Sequence, residues 1–167
     1  MAVAFRSVPL MVNDPVRAFE HTHEHLTKRA AEAAEIIRGA ATRPLTDDQR
    51  ARLRGSLEEL RDDLLQHFAV EEEGLFPFIR AQVPARAPIV ERLALAHDAI
   101  CGSVVRLAHA AATAQSEAAI HALPSLFDRF QAAYVTHSRE EAELFAELGK
   151  SLEPHQREAL ATILRGL

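Results

Sequence analysis

The chain has 167 residues, one cysteine, 6 glycines and a formal net charge of −5. The acidic balance argues against a nucleic-acid partner, which usually requires a basic face, and the scarcity of glycine argues against a sheet with many turns. The single cysteine, Cys101, excludes an internal disulfide and is compatible with a reducing cytosol. The composition instead suits long amphipathic helices.

Capping residues predict where the first two helices begin and end. An Asn-Asp-Pro motif at 13–15 combines an N-cap with proline in the first turn, and the helix it opens runs to about Gly39. After a loop at 38–45, the Thr-Asp-Asp-Gln motif at 46–49 has the pattern of a capping box. It opens a second helix that lasts to about Ala81.

Prolines mark the remaining boundaries. The third helix begins near Pro88 and ends around residues 115–116, and Pro124 separates a short helix from a fourth long one at 124–149. A last short helix, capped by Ser151, is expected to pack on the bundle through Leu152, Leu160 and Ile163. Because the loops are short, we predict an all-α, up-down-up-down four-helix bundle with a short C-terminal fifth helix. We expect residues 1–167 to form one domain, with the bundle core at about 14–149.

Each long helix carries an apolar stripe with steps of three and four residues, which is typical of a face that points into a bundle. A histidine lies near the middle of each stripe, and on the second and fourth helices a glutamate follows one turn later. The stripes of the second, third and fourth helices are Leu53, Leu57, Leu60, Leu64, His67, Glu71, Leu75 and Phe78; Leu93, His97, Ile100, Val104 and Leu107; and Phe127, Phe130, Tyr134, His137, Glu141, Phe145 and Leu148.

Three histidines of the first helix compete for the inward position. Steps of three and four from His23 reach Phe19, Leu26 and further apolar residues, whereas steps from His25 reach His21 and charged residues. We therefore predict that His23 points inward and that His21 and His25 lie on the surface.

Six polar residues thus occupy core positions on four neighbouring helices. A buried imidazole or carboxylate is costly unless something pairs with it, and a cation pairs with both. One histidine on an apolar face is more often a hydrogen-bonded core residue, but six such residues on four stripes are hard to explain without metal. We predict that metal is bound by His23, His67, Glu71, His97, His137 and Glu141.

The spacing within this set favours two metals. In the His67–Glu71 and His137–Glu141 pairs the side chains lie one turn apart, so each helix offers a nitrogen and an oxygen together. Two bridging glutamates and four histidines give each of two metals two nitrogens and two oxygens, with room for an oxo or hydroxo bridge and an open position. Such ligation suits iron or manganese, and zinc stays possible.

The residues around these pairs resemble a known family. The run from His67 to Pro77, HFAVEEEGLFP, resembles the H-x-x-x-E-E-x-x-L-F-P signature of hemerythrin-like HHE cation-binding domains. The run from His137 to Glu141, followed by Glu-Leu-Phe at 143–145, is similar to a degraded second copy. The resemblance covers about residues 14–149. It implies a non-haem di-iron centre in a bundle core, with the same six residues as ligands.

The pattern also departs from two relatives. In oxygen-carrying hemerythrin the third helix usually offers two histidines one turn apart, but here Cys101, more a packing residue than a ligand, stands at the second position. The four-histidine, two-glutamate set is more similar to the metal domain of iron-cluster repair (RIC) proteins, whose N-terminal cysteine-bearing segment has no counterpart in this sequence. Ferritin-like oxidases use paired Glu-x-x-His motifs, and only Glu20-x-x-His23 fits here.

Three functions stay open on this basis. In the first, the di-iron site binds or senses oxygen, nitric oxide or peroxide in bacterial redox or stress physiology. Alternatively it is a redox enzyme that reduces peroxide or nitric oxide, with Tyr134 as a donor of a hydrogen bond or an electron. In the third reading iron is stored or donated, and is guided inward by outer glutamates: Glu58, Glu59, Glu72, Glu73, Glu140 and Glu143.

The expected partners follow from the same features. They are a diatomic gas or peroxide, with a homodimer and an unidentified protein partner left open. The apolar start of the chain is short and interrupted by Arg6, which argues against a signal peptide. No stretch reaches the roughly 18 apolar residues of a membrane span. We therefore expect a cytoplasmic protein without a membrane partner.

Overall fold

A computed structural model describes residues 14–40, 44–114 and 116–167, and these ranges are helical apart from short connections. The elements in chain order are α1 (Pro15–Ala40), α2 (Asp47–Val70), a π-helical segment (Glu71–Leu75), α3 (Phe76–Gln82), a 3-10 turn (Pro84–Arg86), α4 (Ala87–Thr113), α5 (Glu117–His121), α6 (Leu123–Ser151) and α7 (Pro154–Arg165). The predicted all-α fold is confirmed. Of the helices described, none has the length and apolar character needed to cross a membrane.

Local capping explains where these helices begin. Asp14 directly precedes Pro15, and its Oδ1 atom accepts a hydrogen bond from the N–H of Val16 at 3.0 Å. Asn13 and residues 41–43 of the predicted loop lie outside the described residues. Thr46 and Gln49 form the predicted capping box.

The prediction for the last cap is wrong. Ser151 is the last residue of α6, because the N–H of Leu152 still donates to the carbonyl of Leu148 at 3.0 Å. The cap of α7 is Glu153, which forms a capping box with Gln156 and precedes Pro154.

The second predicted helix is not one α-helix to about Ala81, because α2 passes into the π segment and then into α3. The N–H of Phe76 donates to the carbonyl of Glu71, five residues back, which defines the wider turn. In an uninterrupted α-helix the ring of Pro77 would clash with the carbonyl of Glu73, four residues earlier. The π turn directly before Pro77 absorbs this conflict, so the helix continues with a local change of register.

The four long helices form a closed ring in which α1 packs on α2, α2 on α4, α4 on α6 and α6 on α1. Their apolar side chains form two clusters, one including Leu26, Leu60, Ile100 and Phe130, the other including Phe19, Leu75, Leu93 and Phe145. Along α1 and α4 the chain passes from the second cluster to the first, and along α2 and α6 it passes back. The helices therefore run alternately up and down, as predicted.

The C-terminal helix α7 covers the end of the bundle formed by the second cluster. Leu152 and Leu160 are buried there, and Ile163, although 39 % exposed, lies over Gly74 with its Cγ2 atom 3.5 Å from where a Cβ atom would stand, so all three residues pack on the bundle as predicted. α7 rests on the π segment at Gly74, where an added Cβ atom would lie 2.8 Å from Cδ1 of Leu167. The last helix therefore packs against the π segment that contains Glu71.

Candidate metal centre

The predicted stripes of the second, third and fourth helices are buried along their whole length. In α1 the side chain of His23 is 12 % exposed, between buried Phe19 and Leu26. The side chains of His21 and His25 are 70 % and 53 % exposed. The helical phase predicted for the first helix is therefore confirmed, with His23 facing inward.

The six predicted site residues meet in one polar layer between the two apolar clusters. They form two donor groups that share Glu71, and within each group the potential ligand atoms all lie within 4.8 Å of one another. The first donor group is His23, His67, Glu71 and Glu141, and the second is Glu71, His97 and His137. Cys101 belongs to neither group and packs, partly buried, against the first apolar cluster.

The carboxylate of Glu71 faces both donor groups. Its Oε1 atom lies 2.9 Å from Nε2 of His67 and 3.8 Å from Nε2 of His23. Its Oε2 atom lies 3.3 Å from Nε2 of His97, on the other side. The two oxygens of this carboxylate are thus positioned to act as ligands in different donor groups.

Glu141 also approaches histidines of both groups, but through one oxygen. Its Oε2 atom lies 2.9 Å from Nε2 of His23 and 3.1 Å from Nε2 of His137. Each of these histidines comes from a different group, so the α6 carboxylate also lies between them.

Many polar atoms of the layer lack a protein partner. All four carboxylate oxygens of Glu71 and Glu141, Nε2 of His97 and both ring nitrogens of His137 are buried without a hydrogen bond of good geometry to any described residue, although Glu141 lies close to Glu71, His137 and His23. Such atoms cost about 1–3 kcal/mol each when unpaired. Imidazole nitrogens and carboxylate oxygens are ligands that bind iron and zinc, so the residues present are suited to hold metal.

The contact between His23 and His67 supports the same conclusion. Their Nε2 atoms are 2.8 Å apart, and the two rings meet edge to face. Two lone pairs at this distance repel each other unless a proton or a cation lies between them. A cation satisfies both nitrogens together.

Burial sets the charges of the metal-free layer. Burial and the negative charge of Glu141 raise the pKa of Glu71 well above its ordinary value. Burial alone would also raise the pKa of Glu141, but interactions with Glu71, His137 and His23 outweigh it and hold that pKa well below the ordinary value. Burial lowers the pKa of His67 to about 3, so its imidazole stays neutral. Without metal, Glu71 therefore keeps a proton that metal binding must displace.

In the metal-free protein the contribution of His67 to the free energy of unfolding is expected to fall as the pH falls from about 7 to about 5, while Glu71, which keeps its proton in the folded chain, acts in the opposite direction. His67 takes up a proton near pH 6.5 in the unfolded chain but only near pH 3 in the folded chain, so at this residue the unfolded state binds more protons over this range. Each such proton lowers the free energy of unfolding by about 1.4 kcal/mol per pH unit. Denaturant titrations at several pH values measure this slope. His67→Gln, which cannot take up a proton, is expected to reduce it, and equal slopes in the two proteins would contradict this account.

Aromatic rings shield the layer on the side of the second cluster. Phe19 stacks on Phe145 with ring centroids 5.5 Å apart, and the ring of His23 meets Phe145 edge to face at 5.6 Å. An apolar shell of this kind limits water access and lowers the local dielectric constant, which strengthens the interaction of the donors with a cation.

Glu72 is a site residue that the sequence pattern does not distinguish from the outer glutamates. Its Oε1 atom lies 2.7 Å from Nδ1 of His97. A signal was present in Pro77, which marks the irregular turn that carries Glu72. Two other outer glutamates also have partners: Glu59 pairs with Arg29, and Glu140 lies 3.7 Å from Arg92. These pairings reduce the negative charge available to guide cations inward.

Comparison with known families adds one finding. The family model for the hemerythrin HHE cation binding domain matches residues 14–148 of the sequence. This range is most of the chain and includes all six residues of the polar layer. Neither the curated proteins nor the solved structures contain a significant match to the chain. The family match and the geometry of the layer together indicate a metal-binding helical domain.

Proposed function

We propose that this chain, which belongs to the hemerythrin HHE cation-binding family, is a non-haem di-iron protein that binds or senses oxygen, nitric oxide or peroxide. The observation that carries the proposal is the shared position of Glu71 and Glu141, because each carboxylate lies between histidines of both donor groups. A single cation needs only one of those groups, whereas two cations use both. The family and the mixed nitrogen and oxygen donors favour iron.

The side chains of the layer have separate tasks in this proposal. Two iron ions, when bound, supply redox-active metal with room for a small diatomic molecule or peroxide. Glu71 gives up the proton that it keeps in the metal-free layer, and its two oxygens then serve both donor groups. Phe19 and Phe145 keep water away from the side of His23.

Metal analysis of the full chain purified from iron-replete cells, together with its visible spectrum in air, tests the proposal. We expect about two irons per chain and a charge-transfer band of a bridged di-iron centre, because two donor groups share Glu71, and Glu141 lies between histidines of both. Titration with nitric oxide and with peroxide should then change that band. One zinc per chain, or no metal, would refute the di-iron site.

A redox enzyme is the second candidate, favoured by Tyr134. Its hydroxyl is buried one turn before His137, close to the side chains of Thr27 and Ser138. A tyrosine hydroxyl donates one hydrogen bond, which can go to one of these side chains or toward the layer. Turnover of peroxide or nitric oxide with a reductant, compared between the wild type and Tyr134→Phe, separates an enzyme from a binding protein. Rapid iron transfer to an apo-acceptor would instead favour iron storage or donation, in which the metal is the cargo.

A further inference from the structure

Two consecutive glutamates of the π segment face the same histidine. Glu71 Oε2 lies 3.3 Å from Nε2 of His97, and Glu72 Oε1 lies 2.7 Å from Nδ1 of the same ring. Consecutive side chains of an α-helix point about 100° apart around its axis. The π turn that begins at Glu71 nevertheless holds both carboxylates at the two nitrogen-bearing edges of one imidazole.

The chemistry of imidazole gives these two contacts different meanings. In a neutral ring one nitrogen carries the proton and the other carries a lone pair. A carboxylate can only accept a hydrogen bond, so the contact with Glu72 requires the proton of His97 on Nδ1. The lone pair then remains on Nε2, which is buried, faces Glu71 and has no hydrogen-bond partner among the described residues.

The rest of the ring is also restrained. His97 stacks on Phe68 with centroids 3.8 Å apart and on Phe76 with centroids 5.4 Å apart. Stacking limits the tilt of the ring but does not choose which nitrogen is protonated. That choice needs a polar partner, and Glu72 supplies one.

We propose that Glu72 is a positioning residue that fixes the tautomer of His97 and directs its Nε2 lone pair into the polar layer. The inference rests on the proposed metal site but adds a residue that is not itself a ligand. Nδ1 of His137, in the same donor group, is buried without a partner, so its tautomer is not selected in this way. The side chain of Glu72 is 51 % exposed, so its replacement removes little packing.

The first test uses the metal-free full chain, so it does not depend on metal binding. Long-range proton–nitrogen NMR reports which nitrogen of His97 carries the proton in the wild type, Glu72→Ala and Glu73→Ala, the last being an exposed neighbour in the same π segment. We expect the Nδ1–H form in the wild type and Glu73→Ala, and a shift toward Nε2–H in Glu72→Ala. An Nε2–H form in the wild type, or no change in Glu72→Ala, would overturn the proposal.

The second test measures affinity for Co²⁺ by competition with a chelator, with circular dichroism to verify folding. Loss of the partner of a metal-bound histidine typically weakens metal binding about 10–100-fold, and we expect this for Glu72→Ala. Glu72→Gln, which keeps an uncharged acceptor oxygen, should lose less, and Glu73→Ala should lose nothing. Equal affinity of Glu72→Ala and the wild type would overturn the proposal. If the wild type bound no metal, the proposed function would fail, while the NMR measurement would still decide the role of Glu72.

Discussion

Replacement of His67 or Glu141 by alanine is expected to weaken metal binding by more than about 100-fold, beyond the loss typical of an outer partner. His67 Nε2 lies within 3 Å of both His23 and Glu71, so its loss removes the nitrogen at the centre of the first donor group. Glu141 lies between His23 and His137, so its loss affects both groups. Metal content after gel filtration in the presence of a chelator measures the effect.

His25→Ala is the matched control for these variants. His25 belongs to the same helix as His23, but its side chain is 53 % exposed and contacts Asp63 at 3.5 Å, on the outer side of the bundle. Its replacement should leave the metal content unchanged. Equal losses in all three variants would refute the assignment of His23 to the interior, and circular dichroism would identify a variant that fails to fold.

Removal of the metal is expected to lower the free energy of unfolding by about 3 to 4 kcal/mol, relative to protein with free metal at 100 to 1,000 times the Kd. The physical reason is the polar layer, whose buried carboxylate oxygens and ring nitrogens lack partners without a cation. Urea titrations of metal-loaded and chelator-treated protein measure the difference. Identical urea midpoints would show that the layer is satisfied without metal.

A double variant, Glu71→Leu with Glu141→Leu, separates metal binding from packing. Apolar side chains in place of buried charged groups often stabilise a core by about 1–4 kcal/mol. We therefore expect the double variant to be more stable than the metal-free wild type and to ignore the chelator. A double variant less stable than the metal-free wild type would show that Glu71 and Glu141 contribute to the fold without metal.

The inward faces of the helices could be predicted from the sequence because the direction of a helical side chain depends on its phase. This is why His23 could be distinguished from His25, although both lie in one short histidine-rich run. The relation of Glu71 to His97 could not be predicted, since it depends on how α2 and α4 pack and on the local turn.

The π segment left no trace in the apolar pattern. The steps from His67 to Glu71 and from Glu71 to Leu75 are four residues each, and both an α-helix and a wider turn keep such residues on one side. Pro77 was the available signal, because a proline inside a helix removes a donor and displaces a carbonyl. Unless the irregular turn before Pro77 is inferred, the sequence does not distinguish Glu72 from the other charged residues on the surface.

If the polar layer that divides the apolar core holds metal as proposed, the stability of this bundle depends on ions that the polypeptide chain does not itself contain. A chain without metal spends a larger fraction of its time unfolded, and proteases and chaperones act on that fraction. Differences of about 1–2 kcal/mol change the abundance of a protein in cells several-fold. The amount of this protein in a cell would therefore follow the supply of its metal, without any change in the rate at which it is made.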